Sequence, residues 1–249
     1  MRVLPVLLFA GMLAGAPGAV LAHTNCMSPD APPAATVERT TFQSRGREIQ
    51  GLLFRPARPN GAAIVLLHDR EGLQEDLPRY EVQAGRLASC GYTVIAPSYY
   101  DAAGPRSRND PRLGDKWAQV IDEAIIKVGS LDGVDPARVG VWGHGRGGGL
   151  ALTNALDGIA ARAVVSVSGS VRAEHGRGTP PILLIAGDHD PDAPLSAAEV
   201  LARELRQREV TVTVASVPAN LPEFEPAAWD AVFEHSRTFF DAQLLGAGS

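Results

Sequence analysis

Five short apolar runs, AAIVLLH, YTVIAP, RVGVWG, RAVVSVSG and PILLIAGD, punctuate the chain, and segments of helical periodicity lie between most of them. Runs of this kind suit strands covered on both faces. Helices are expected from about Leu77 to Ser89, Lys116 to Val128, Leu195 to Arg208 and Ala227 to Leu244, and another after the glycines that follow RVGVWG. In the second of these Trp117, Val120, Ile121, Ala124 and Ile125 fall at helical spacing. Strands alternating with helices imply an α/β fold, a mostly parallel sheet with helices on both faces. Right-handed crossovers leave few orders for its strands. Ahead of this pattern VERTTFQS and REIQGLLFRP alternate and read as an antiparallel pair turning at Arg45-Gly46, and a strand VTVTVASVP precedes the last helix. No repeat and no second domain is evident, so one domain over 37–249 is expected. Open sheets of this type take ligands at the carboxyl ends of their strands.

The first residues carry a different signal. MRVLPVLLFAGMLAGAPGAVLA has one basic residue, an apolar middle and small residues at its end, and it reads as a secretory signal peptide over 1–22, cleaved after Ala22. A Pro- and Ala-rich tail over 23–36 follows. The expected location is therefore secreted or periplasmic, with no membrane contact after cleavage. Export permits a disulfide, and the chain has two cysteines, Cys26 and Cys90, whose pairing the sequence leaves open. A formal net charge of -5 gives no reason to expect a nucleic-acid partner.

The stretch VGVWGHGRGGGLAL outlines a strand, a sharp turn and a helix. α/β-Hydrolases hold their nucleophile in such a turn, in a G-x-S-x-G elbow. Here the five residues are Gly143, His144, Gly145, Arg146 and Gly147, so the nucleophile position is Gly145, which has no atom to attack with. The glycines that follow, Gly147 to Gly149, suit close packing of helix on sheet; the lysine of a phosphate loop and the acidic residue of a dinucleotide site are both missing. No cofactor is expected.

Four segments in order resemble the dienelactone hydrolase family of α/β-hydrolases. IVLLHDREGL resembles its strand followed by His-Glu-x-x-Gly, with Asp69 in the acidic place; LASCGYTVIAPSYY resembles its Gly-Tyr-x-Val-x-x-Pro-x-x-Tyr, at Gly91, Tyr92, Val94, Pro97 and Tyr100. VGVWGHGRGGG resembles its elbow except at Gly145, and LLIAGDHDPDAP its Gly-x-x-Asp, which makes Asp190 the counterpart of the triad acid. The resemblance implies the α/β-hydrolase fold and hydrolysis by a thiol or hydroxyl, an imidazole and a carboxylate. It also places the triad histidine in VPANLPEF, where Pro222 stands instead, and no histidine lies between His189 and His235. Asp190 is then a remnant of the triad.

What remains is the turn itself. The Arg146 N–H points into the cavity from the positive end of a helix, and the loop at Asp69 and Arg70 is expected to add a second donor, as in an oxyanion hole. The absent nucleophile side chain is expected to leave room for a water or a ligand carboxylate. His68, Asp69, Arg70, Tyr100, His144 and Arg146 form the expected ligand-binding rim. No metal is expected; acidic residues such as Asp188, Asp190 and Asp192 are common on a solvated loop. The sequence thus reads as an exported, non-catalytic binder of a small anionic or carbonyl ligand. The alternative is an active hydrolase of small esters or lactones with an unrecognised nucleophile, for which Ser98, Ser166, Ser168 and above all Ser170 are the candidates.

Overall fold

The structure is a computed structural model and describes residues 35–104, 111–171, 178–190, 193–218 and 226–246. Eight strands form one sheet: β1 (Ala35–Ser44), β2 (Arg47–Pro56), β3 (Ala63–Leu67), β4 (Thr93–Pro97), β5 (Val139–His144), β6 (Ala163–Val167), β7 (Ile182–Gly187) and β8 (Val212–Val217). Their spatial order is β1-β2-β4-β3-β5-β6-β7-β8. β2 pairs antiparallel with β1 and β4, and every other pairing is parallel. Arg45 and Gly46 both carry positive φ, so the first two strands join in a tight two-residue turn with Ser44 opposite Arg47. This is the α/β-hydrolase fold. The strand read as tail up to residue 36 begins at Ala35, because Ala35 and Thr36 already pair with Pro56 and Arg55.

Along β3 the side chains alternate between two apolar clusters. Ala63, Val65 and Leu67 face α2 (Gly114–Gly129), α3 (Arg146–Leu156) and α4 (Leu195–Arg206), while Ile64 and Leu66 face α1 (Leu77–Ser89) and α5 (Pro226–Phe240). Every residue of β3, β4, β5, β6 and β7 is buried, which is why their sequences are continuous apolar runs. α1 has the expected bounds, and the final helix continues beyond α5 through a π turn, Asp241–Leu245. Cys90, at the end of α1, is held in a disulfide; Cys26 lies outside the described residues, as do the signal and tail up to residue 34. Among the described residues no helix is long and apolar enough to cross a membrane.

Candidate functional site

Three adjacent strands, β4, β3 and β5, and β7 beyond β6 deliver the site from their carboxyl ends. β3 leads into His68, Asp69 and Arg70, β4 into Tyr99 and Tyr100, β5 ends at His144 before Gly145, and β7 runs out three residues before Asp190. The turn after β5 has the elbow's backbone. Gly145 sits at φ 52 and ψ -115 as the cap of α3, a conformation that strains any residue with a side chain. Gly147 and Gly148 let α3 lie against β3 and β6: an added Cβ would stand 2.5 Å from the His68 carbonyl oxygen or 2.8 Å from Ser166 Oγ.

The space beyond Gly145 is filled. A Cβ on Gly145 would fall 2.2 Å from Asp69 Oδ1, 2.3 Å from its Cγ and 2.6 Å from its Oδ2. The Asp69 carboxylate therefore occupies the volume that a nucleophile's side chain would take. Its Oδ1 accepts the Arg146 N–H at 2.7 Å, at the positive end of α3. The second donor expected from this loop is spent as well, because the Asp69 N–H donates to the Tyr80 hydroxyl at 2.7 Å. Both findings correct the expected empty floor. The anion that the turn attracts is part of the chain.

Beneath the carboxylate lies a buried polar layer. The Tyr80 oxygen is also 3.4 Å from His144 Nδ1. Burial pushes the His144 imidazole down from its ordinary 6.5 to about 4, against the pull of Asp69 and Asp190 and with the help of Arg79. It is therefore neutral at pH 7. Burial also raises the Tyr80 hydroxyl far above its usual range. Trp229 meets the His144 ring edge-on at 5.2 Å. Asp190 is buried, and its Oδ1 accepts the Ala193 N–H at 3.0 Å, which anchors the loop after β7.

On the other side His68 Nδ1 donates to the Asp69 carbonyl at 2.8 Å, and its ring lies flat on Tyr99 at 3.9 Å. The Tyr99 hydroxyl donates to the His68 carbonyl. Arg146 donates from Nη1 to the Tyr100 hydroxyl at 2.8 Å and lies near the Tyr100 and Trp117 rings. Tyr100 in turn donates to the Arg70 carbonyl at 3.1 Å.

The expected rim is thus mostly a layer below the surface. His68, Asp69, Tyr100, His144 and Asp190 are buried, Gly145 and Arg146 are half-buried, and Arg70 alone is exposed. Pro222 and Asp192 lie outside the described residues, and Asp188 is exposed while Asp190 faces inward. Ser98 donates to Asp101, Ser170 is exposed, and Ser166 is buried under α3. Sequence reading missed Tyr80. It shares a buried stripe of α1 with Ala84 and Leu87, the signature of an ordinary core residue, and only the fold aims its hydroxyl at Asp69.

The profile of the dienelactone hydrolase family matches residues 49–224. Among solved structures the chain is similar to a dienelactone hydrolase-like promiscuous phosphotriesterase from metagenomic libraries, with 18% identity and a TM-score of 0.70 over 84% of this chain and 99% of that one. It is also similar to Est1E from Butyrivibrio proteoclasticus, at 13% identity and a TM-score of 0.62 over 83% and 99%. A third likeness, to an acylaminoacyl peptidase from Pyrococcus horikoshii, has 18% identity and a TM-score of 0.65 over 85% of this chain and 42% of that one. At these identities the likeness is one of fold. No curated protein matches the chain.

Proposed function

Because the chain belongs to the dienelactone hydrolase family, we propose that it is an exported member which forms no serine or cysteine acyl-enzyme and which binds a small, neutral, polarised molecule at the strand ends. The observation that carries this reading is the Asp69 carboxylate standing where a nucleophile would stand, against a glycine that has no reacting atom. The same carboxylate moves the reading away from an anionic ligand. A second carboxylate about 4 Å away would meet a repulsion of about 4 kcal/mol at an effective dielectric of 20. A carbonyl or ether oxygen avoids that cost and finds a donor in the Arg146 guanidinium at the same edge. Export is supported by the pattern of residues 1–22 and by the disulfide at Cys90, which suits an oxidising compartment. One hydrolase domain, beginning with β1 at Ala35, follows the signal and tail on this reading.

A fluorophosphonate probe, short p-nitrophenyl esters and dienelactone test the chemistry. No serine or cysteine is expected to carry the probe, and acylation of one would overturn the reading. Melting curves test the ligand, since a molecule preferring the folded state stabilises it by RT ln(1 + [L]/Kd). Small lactones and cyclic ethers are expected to raise the midpoint where equal concentrations of the matching carboxylates do not.

A further inference from the structure

We propose that a cavity between α4 and the carboxyl ends of β6 and β7 binds a short, neutral aliphatic alcohol. The ligand hydroxyl meets Ser166 and Ser168, and its chain leaves along α4. The cavity shares no lining residue with the rim around Asp69 and Arg146, so this site goes beyond the function proposed above. Its volume is about 90 Å³, room for about three waters at about 30 Å³ each or for the head and first carbons of a chain. Ser166 and Ser168 line it from the end of β6, Leu184 and Ala186 from β7, and Ala198 and Leu201 from α4. Ser166 is 1% exposed, and neither its hydroxyl nor that of Ser168 has a hydrogen-bond partner among the described residues.

The ligand class follows from what these hydroxyls lack. A Cβ on Gly148 or Gly169 would stand 2.8 or 2.3 Å from Ser166 Oγ, so the two residues turned towards that oxygen carry no side chain to bond it. Ser168 is held at φ 50, in the left-handed region, with its N–H donated to the Ile185 carbonyl at 2.8 Å. A buried hydroxyl without a partner has given up water and gained nothing in return. A ligand hydroxyl restores the bond in both senses, because serine and alcohol each donate and accept. A carboxylate is disfavoured twice, since no charged side chain lines the cavity and Glu204 stands in the groove outside it. That groove shares Val171, Ala197 and Leu201 with the cavity, which gives the chain a path outwards. Val200, also in the groove, is 47% exposed and offers the apolar surface that the chain would cover.

Pentan-1-ol is the probe, titrated into the wild-type protein while methyl resonances are followed by NMR. Saturable shifts are expected at Val171, Leu184 and Leu201, and none at Leu66 or Leu87 on the other face of the sheet. Pentanoate at the same concentrations is expected to leave all of them in place. Two comparisons isolate the hydroxyl contact: 1-chloropentane, which keeps the chain and lacks the hydroxyl, and pentan-1-ol with Ser166→Ala. Each is expected to bind about tenfold more weakly, the worth of one hydrogen bond. Ala198→Leu, which fills the cavity from a half-buried position on α4, is expected to abolish the shifts. Shifts that never saturate would overturn the proposal and leave water as the occupant. Pentanoate or 1-chloropentane binding as tightly as the alcohol would overturn it as well. Should a variant fail to fold, the wild-type comparison of alcohol, carboxylate and chloride decides alone. Labelling by fluorophosphonate defeats only the earlier reading, and absent methyl shifts defeat only this one.

Discussion

Replacing Gly145 by serine would put a Cβ onto the Asp69 carboxylate and hold a residue with a side chain at φ 52. The two residues are therefore expected to be coupled. Gly145→Ser should lose about 3 kcal/mol, part of it backbone strain of about 1–3 kcal/mol. Asp69→Ala alone should lose about 1.5–3 kcal/mol with its charge-assisted bond, yet in the Gly145→Ser background it should cost little, because it removes the collision. Urea unfolding of the four proteins measures the coupling, and additive losses would show that the carboxylate does not fill this space. His144 gives a second residue-scale prediction. Its pKa is lower folded than unfolded, so the unfolded chain binds the extra proton and the stabilisation is complete above about 6.5. It is lost as pH falls towards about 4. The difference in unfolding midpoint between wild type and His144→Gln should change across that window and stay flat above it.

At the scale of elements, the contact of α3 with the sheet depends on missing side chains. Gly148→Ala would bring a methyl to 2.8 Å from Ser166 Oγ and 3.1 Å from the Gly143 carbonyl oxygen, so α3 must shift, at about 1–3 kcal/mol. Ser166→Ala should act in the opposite sense. The Ser166 hydroxyl is buried and has no hydrogen-bond partner among the described residues. Its removal relieves an unmet desolvation cost and is expected to be neutral or to stabilise by up to about 1 kcal/mol. Thermal unfolding of both variants checks the pair; a clear loss on Ser166→Ala would mean that the hydroxyl is bonded in solution. The runs that become β3 to β7 were legible as strands because burial on both faces leaves no polar alternation. Helix ends were legible within a few residues, as with α4, which stops at Arg206 and not Arg208, since only local hydrogen bonding decides them.

At the scale of the molecule, a disulfide reaches the end of α1, and the chain has two cysteines. A loop closed between them restricts the unfolded chain by about 4 kcal/mol in the chain-entropy model. Adding reductant is expected to lower the urea midpoint by a corresponding amount, and an unchanged midpoint would deny the bond a stabilising role. The sheet itself should survive this, because the buried residues of its two apolar clusters, one under α2, α3 and α4 and one under α1 and α5, do not include Cys90, which packs only against the margin of the second.

The order of strands and helices, the elbow after β5 and the absence of a side chain at residue 145 were written in the linear chain, because each depends on periodicity or on residue identity at one position. Four family-like segments also placed Asp69, Tyr100, Gly145 and Asp190 at the ends of their strands. What fills the elbow was decided only by the tertiary structure. Asp69 and Gly145 are far apart in sequence, and nothing in either neighbourhood shows that a carboxylate from one strand end lies in the volume vacated at another, or that a tyrosine on α1 has taken up its N–H. The physical reason is that strand composition reports burial, while the contents of a cavity depend on how far neighbouring loops reach across it.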